Sequence, residues 1–298
     1  MTRTTIFVMA VATAALAQAP ATSQNPAAGT PPAAQSAPAQ APAPAGKRPI
    51  QAKTQPEYDA YMAAHGSAND PAAMEQAAND FATKFPDSDL KVLLYRDAMH
   101  AYQRANQADK MLEMGRQVLK LDPEDPEAMI GVAEVLTERT RDTDLDKDQR
   151  LAEASKLAQH ALETVDTNIA VPAGVSAEQL DGYKKFLRSS AYAIIGTQLY
   201  NKDNFKDAED NFRKSIDAYP SQPDPIVVLR LALALDKQDK YADALAQANR
   251  AVELLASQPE NSVATYAKQE RDRLVQLTQS TAPAPKPAVT AQPAAPKN

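Results

Sequence analysis

The feature that most constrains the fold of this 298-residue chain is a sequence pattern that returns every 34 to 36 residues. Residues at matching places are 34 apart at Ala77 and Met111, and 36 apart at Ala208 and Ala244. Within each copy, apolar residues recur at three- and four-residue spacing, which is typical of amphipathic helices. Prolines fall between the helical stretches, and no stretch shows the alternation and β-branched enrichment of a strand. The pattern therefore predicts an all-α body.

Five copies of the pattern align with one another. The clearest pair is "YAIIGTQLYNKDNFKDAEDNFRKSIDAYP" (192–220) and "YRDAMHAYQRANQADKMLEMGRQVLKLDP" (95–123). A third copy starts near Val228, a fourth at Met129 is interrupted by an insertion, and the most degenerate starts at Tyr61. Each copy predicts a pair of antiparallel helices. Because one pair cannot bury its apolar face alone, neighbouring pairs must stack.

The repeating unit resembles the tetratricopeptide repeat (TPR), whose 34-residue unit is a helix-turn-helix. The resemblance covers most of residues 55–258 and departs at His65, Met99 and Met111, where the family prefers small residues. It implies an α-α solenoid of about five TPR-like hairpins. The amphipathic stretch at 261–280 is predicted to be a helix that caps the last hairpin. The resemblance also implies a concave groove, lined by the first helices of the hairpins.

Two small residues in the clearest copy predict a close helix crossing. Gly196 on the first helix and Ala208 on the second are expected to let the two backbones approach, while larger residues fill the space above and below. We expect Gly196→Leu to cost on the order of 1–3 kcal/mol of stability through overpacking.

The two ends of the chain differ from the body. Residues 1–19 have a positive start, an apolar run over 6–16 and small residues before the end, which predicts a secretory signal peptide. Residues 20–54 and 280–298 are rich in Pro and Ala and are predicted to be disordered tails. The solenoid with its capping helix is predicted over 55–279. The chain is therefore expected to be exported, periplasmic or secreted, and soluble, with no transmembrane anchor.

Composition excludes several kinds of site. The chain has no Cys, and its histidines (His65, His100 and His160) fall in different repeats. No HExxH, GxxxxGK[ST] or GxSxG motif is present, so we expect neither an enzyme nor a cofactor. The formal net charge is −6, and the acid-free ends add positive charge, so the body is more acidic still. Nucleic acid is an unsuitable partner for such a surface.

A polar stripe on one first helix is the candidate binding surface. Arg96, His100 and Arg104 follow one another at four-residue spacing, and arginine can hold a carboxylate through two bonds. The alternative is that Glu134 and Glu138 of the next first helix pair with these arginines and neutralise the stripe. The equivalent groove positions downstream are Tyr200, Asn201 and Lys237.

The insertion in the fourth copy carries regularly spaced carboxylates. Asp142, Asp144, Asp146 and Glu153 match the liganding offsets of an EF-hand calcium loop, but Lys147 replaces the glycine of its sharp bend. The alternative is a solvated acidic turn whose Asp146 or Asp148 caps the following helix.

A second interruption precedes the clearest copy. Ser176 and Gln179 form a capping box, so a helix of roughly 25 residues is predicted from there to about Asn201. Its extra turns over 176–190 carry apolar residues: Leu180, Tyr183 and Leu187. Either the preceding loop covers them (Ile169, Val171 and Val175), or they form an exposed ledge for a partner or a second copy.

The function expected from these features is a non-catalytic scaffold of the cell envelope that binds another protein or peptide in its concave groove. The alternatives are a structural module stabilised by calcium at 142–153, and an accessory subunit of an envelope enzyme or secretion machine.

Overall fold

The computed structural model describes residues 50–67, 69–169 and 175–281. These residues form eleven α-helices joined by turns and bends, and none of them is in a strand, so the all-α prediction is confirmed. The helices are α1 (Gln55–His65), α2 (Pro71–Lys84), α3 (Lys91–Arg104), α4 (Ala108–Leu121), α5 (Pro126–Arg139), α6 (Lys147–Thr164), α7 (Ala177–Asn201), α8 (Phe205–Ala218), α9 (Pro225–Asp236), α10 (Tyr241–Leu254) and α11 (Ser262–Thr281).

The helices pack in two layers, as the predicted solenoid requires. Each helix contacts the next along the chain, and α5, α7, α9 and α11 also touch one another in succession. Within the described ranges no two even-numbered helices make a comparable contact. The odd-numbered helices therefore form the inner, concave layer, and α11 closes the stack against α9 and α10. The predicted signal peptide and most of both tails lie outside the described residues.

Three hairpins share one turn. Asn106, Asp203 and Asp239 have positive φ angles of 56°, 57° and 59°, a conformation that Asn and Asp tolerate better than most residues. The amide after each one bonds back to the first helix, as Asn204 N does to Leu199 O at 3.0 Å. This turn satisfies carbonyls that the end of a helix leaves free. An Asn or Asp residue with positive φ thus marks where the chain reverses direction in these hairpins.

Several helices begin at an Asp-Pro pair. Asp70, Asp125 and Asp224 each accept a hydrogen bond from a backbone amide of the first turn, and the proline after each needs no donor there. Asp125 and Asp224 start two inner helices, α5 and α9. Their carboxylates are therefore held at the concave face.

Gly196 lies in close contact with α8, and the large residue packed against it is Phe212. A Cβ built on Gly196 would lie 2.7 Å from two ring carbons of Phe212, and the three closest atoms all belong to that ring. Phe212 is fully buried, as is Ala208 one turn earlier. The glycine therefore makes room for this aromatic ring.

The departures from small residues at Met99 and Met111 have a structural explanation. A Cβ on Gly115 would lie 3.3 Å from the sulfur of Met99, and a Cβ on Gly131 would lie 3.1 Å from the terminal methyl of Met111. Met99 aligns with Gly196, and Gly115 aligns with Phe212. The large and small residues have therefore changed places between two equivalent helix crossings.

The predicted long helix is present as α7, which spans 25 residues and starts with the Ser176–Gln179 capping box. Leu180 and Leu187 are buried in one cluster with Ile169, and Val175 packs against it. The prediction of an exposed ledge is therefore wrong for Leu180 and Leu187, which are buried together with residues of the preceding loop. Val171 lies outside the described residues, and self-association through 176–190 stays untested.

Candidate protein-interaction groove

A cavity of 420 Å³ opens on the inner layer, between α3, α5, α7 and α9. Its apolar walls include Met99, Met111, Ile130, Phe186, Ile194 and Ile226. Charged side chains line it as well: His100, Glu127, Glu134, Glu138, Asp224 and Arg230. A volume of this size, with apolar walls and a few polar groups, is typical of a binding pocket.

A buried ionic network lies where α3, α5 and α7 meet. Arg96 is only 7% exposed, and its guanidinium donates to the Asp125 carboxylate. The Nε of Arg96 is buried without a hydrogen-bond partner among the described residues and lies 3.8 Å from Glu127 Oε2. His100 pairs with Glu127, and the Tyr183 hydroxyl donates to the same carboxylate. These side chains come from three successive inner helices or their caps. The network therefore joins neighbouring hairpins.

The electrostatics of the network follow from burial and charge together. Burial alone would raise the pKa of Glu127, but His100 and Arg96 outweigh it and lower that pKa to about 2. For Asp125, burial outweighs the attraction of Arg96, so its pKa is raised. Burial opposes the protonated form of His100, yet Glu127 raises the pKa of His100 overall. The arginine and the histidine are thus held by internal carboxylates.

The predicted partners of the polar stripe were wrong, although pairing itself occurs. Arg96 and His100 are neutralised by Asp125 and Glu127, at the start of α5, rather than by Glu134 and Glu138 farther along it. The cause is the Asp-Pro cap, which places Asp125 and Glu127 beside α3. Arg96 is therefore paired with carboxylates inside the protein.

The middle of the cavity holds a second group of charges. Arg230 Nη2 lies 3.8 Å from Glu138 Oε1, and Arg230 Nη1 donates to the Thr197 hydroxyl at 2.9 Å. Within the described part of the chain, no group donates a hydrogen bond to Glu134. Burial, together with Glu138 and Asp224, raises the pKa of Glu134 to about 8, against the opposing charge of Arg230. Glu134 is thus an acid held in an unfavourable environment.

The six predicted groove residues, all within the described ranges, do not form one surface. Among them only His100 lines the cavity. Arg104, Asn201 and Lys237 are exposed, and the ring of Tyr200 packs against Phe205 with 5.3 Å between centroids. The sequence reasoning missed Asp224 and Arg230. The signal for Arg230 is visible afterwards, since it is a charged residue in the middle of the apolar helix "PIVVLRLALALD".

The carboxylates of the acidic insertion do not converge. Lys147 Nζ lies 2.6 Å from Asp142, Asp144 accepts from the Arg141 amide at 2.9 Å, and Glu153 pairs with Arg116 at 2.9 Å. Throughout the described ranges, no three His, Cys, Asp or Glu side chains are grouped so that they could hold a metal ion. The geometry therefore favours the solvated turn. Its predicted capping is wrong, because Asp146 stands at the N-cap of α6 without a side-chain hydrogen bond to the helix and Asp148 lies within the first turn.

Calcium is expected to leave the stability unchanged. The insertion's carboxylates are spread among two cations and a backbone amide, so gathering them on one ion would cost those contacts. Thermal unfolding with millimolar Ca²⁺ and then with excess chelator should give the same Tm. A rise of several degrees that chelator reverses would contradict this expectation, and Asp144→Asn would then locate the ion.

No described helix is both long enough and apolar enough to cross a bilayer. No model of a known protein family matches the sequence, and no curated protein matches it either.

Solved structures of helical proteins do align with the chain. A thermophilic TPR protein of Thermus thermophilus, TTC0263, is 14% identical with a TM-score of 0.40, and the alignment covers 75% of this chain and 99% of that one. The Cut9-Hcn1 hetero-tetramer of the APC/C is 13% identical (TM-score 0.33), and the alignment covers 72% of this chain and 45% of its matching chain. Acl4, the assembly chaperone of RpL4, is 15% identical (TM-score 0.29), with coverages of 75% and 90%. The helical hairpins of the described residues, stacked in chain order, form the TPR-like solenoid that the sequence repeats predict.

Proposed function

We propose that the protein is a non-catalytic interaction scaffold that binds a partner polypeptide in its concave groove, at the cavity between α3, α5, α7 and α9. The observation that carries this proposal is the cavity itself, which combines apolar walls with charged groups on the inner layer. Contacts between hairpins account for the Arg96 network. They do not account for Glu134, which gains no hydrogen bond from any described residue.

The partner is proposed to be a protein or peptide because the groove runs across several hairpins. Four inner helices contribute to it, so an extended segment can contact each in turn, with side chains entering the cavity. We keep Arg104, Asn201 and Lys237 as proposed contacts for parts of the partner outside the cavity. The envelope location rests on the signal-like sequence at 1–19, and action as an accessory subunit of an envelope machine would use the same groove.

Site-specific photocrosslinking in the cells that naturally make the protein tests this proposal. Benzoylphenylalanine at Ser190, which lines the cavity, is expected to give a discrete heavier adduct after irradiation. The matched control is the same residue at Asp210, an exposed position on the outer helix α8, which should give none. Both variants should keep the helical circular dichroism of the parent.

Two results would contradict the proposed function. One is an adduct from Asp210 with none from Ser190, which would place the partner on the outer layer. The other is no adduct from Ser190 and none from Gln103, a second cavity position, although both variants are folded.

A further inference from the structure

We propose that the cavity accepts a basic side chain, lysine or arginine, of the partner polypeptide, with Glu134 as its counter-charge. This inference rests on the proposed function and names the chemistry of the partner at that same site.

The charge balance of the cavity favours a cation. In its middle, Glu134, Glu138 and Asp224 face one cation, Arg230. Arg230 is already engaged, since it donates to Thr197 and lies near Glu138. Asp224 accepts from the Ile226 amide as the cap of α9, and Glu138 lies 3.8 Å from Arg230, so among the described residues Glu134 is the carboxyl of this group with neither a hydrogen bond nor an ion pair. A cationic ligand would supply the interaction that Glu134 lacks.

The other end of the cavity does not compete for that ligand. There Glu127 accepts from Tyr183 and pairs with His100, while Arg96 and Asp125 neutralise each other. Because the carboxylates of this network already face internal cations, the attraction for a further cation is concentrated near Glu134. An acidic side chain, by contrast, would meet three carboxyl groups and one arginine, which already donates to Thr197 and lies near Glu138.

The walls suit the stem of a basic side chain. Ile130, Ile194 and Ile226 line the same cavity as Glu134. Lysine and arginine carry an apolar stem of three or four methylenes that packs on such surface while the charged head reaches a polar group. A volume of 420 Å³ also leaves room for neighbouring residues of the partner.

Proton linkage gives the inference a distinctive readout. Burial, Glu138 and Asp224 raise the pKa of Glu134 to about 8, with Arg230 acting in the opposite direction. Glu134 is therefore mostly neutral at pH 6 and mostly ionised at pH 9 when the cavity is empty. A guanidinium keeps its charge over this range, so its binding should strengthen with rising pH.

The probe for the test is the peptide acetyl-(Arg-Ala)₃-amide carrying a fluorophore, with acetyl-(Glu-Ala)₃-amide as its acidic counterpart. Fluorescence anisotropy with the full chain should show binding of the arginine peptide and not of the glutamate peptide. Glu134→Gln should lower the affinity for the arginine peptide about tenfold at pH 9, which is roughly the effect of losing one charge-assisted contact. The difference between parent and variant should be much smaller at pH 6.

The matched control is Glu253→Gln, which makes the same charge change at an exposed position on α10 and should bind like the parent. Equal binding by Glu134→Gln at pH 9, or equal binding of the two peptides, would overturn the inference. Absence of arginine-peptide binding would overturn it as well. If Ser190 still captures a partner in that case, the groove function stands and only the proposed chemistry is wrong; if that capture also fails, both fall.

Discussion

Exchanging a large and a small residue between α7 and α8 is expected to be tolerated far better than either change alone. Gly196→Met should cost about 3 kcal/mol or more, because its Cβ alone would lie 2.7 Å from the buried Phe212 ring. Phe212→Gly should cost about 4 kcal/mol, since it empties the space of a fully buried ring and adds a helical glycine. The loss of stability in the double variant should be smaller than the summed losses of the two single variants by at least about 2 kcal/mol.

This expectation comes from the protein itself. The equivalent crossing of α3 and α4 already has methionine on the first helix and glycine on the second, with the Met99 sulfur 3.3 Å from a Cβ built at Gly115. Met99 and Phe212 each pack against the facing glycine, although Val132 of α5 lies nearer still to a Cβ at Gly115, at 2.8 Å. The exchange would give α7 and α8 the arrangement of α3 and α4.

Urea unfolding of the four proteins measures the coupling, with circular dichroism as the probe. Gly182→Met is the control in the same helix, since a Cβ there meets nothing within 4 Å. It should be neutral or stabilising, because methionine is a better helix former than glycine. Strictly additive costs for the Gly196 and Phe212 changes would show that the two positions do not share one space.

The sequence predicts those parts of the fold that depend on local signals. The repeat spacing gives the order of the helices, and the Ser176–Gln179 capping box gives the start of α7 within one residue. The Asp-Pro pairs and the Asn or Asp turn residues likewise act within a few positions of the chain. Such features can be found before any tertiary contact is known.

The contacts between helices are harder to predict, because the repeat alone does not fix which positions of two neighbouring helices lie opposite one another. The alignment pairs Gly196 with Met99 and Phe212 with Gly115, so the exchange of sizes was visible, but its meaning required the geometry. The partner of Arg96 was missed for a related reason. Sequence spacing suggests Glu134 and Glu138 on the facing helix, whereas the Asp-Pro start of α5 is the part that lies beside Arg96.

The cavity shows the same limit. Helix spacing predicts Glu134 as a counter-ion for an arginine, yet in the structure Glu134 lines the cavity together with Glu138 and Asp224. Those acids come from α5 and from the residue that caps α9, which are about 90 positions apart in the chain. A candidate ligand of positive charge follows only once these distant positions are brought together.

Removing the buried guanidinium of Arg96 is expected to be the most damaging change of a single charge. Arg96→Met keeps much of the apolar stem but leaves Asp125 buried without its cation and takes one of two cations from Glu127, which still pairs with His100. Breaking a buried pair in this way costs about 3–5 kcal/mol, because the remaining charge loses its compensation. The loss is measured by urea unfolding at about pH 7.

The same variant should become less costly in acid. Without Arg96, the pKa of Asp125 in the folded state rises further above its unfolded value, and the pKa of Glu127, although still lowered by His100, rises as well. A group whose pKa is raised by folding contributes stability at low pH that is lost as the pH rises. The difference between parent and variant should therefore be larger at about pH 7 than at about pH 4, where these carboxyls take up protons.

Arg116→Met is the matched control for Arg96→Met. Arg116 also pairs with a carboxylate, Glu153, at 2.9 Å, but its side chain is 50% exposed. Exposed pairs of this kind contribute about 0–1 kcal/mol, so this variant should unfold almost like the parent at both pH values. If Arg96→Met and Arg116→Met lost the same stability, burial would not explain the contribution of the Arg96 network. If the cost of Arg96→Met did not fall in acid, the loss would come from packing rather than from the two carboxylates left behind.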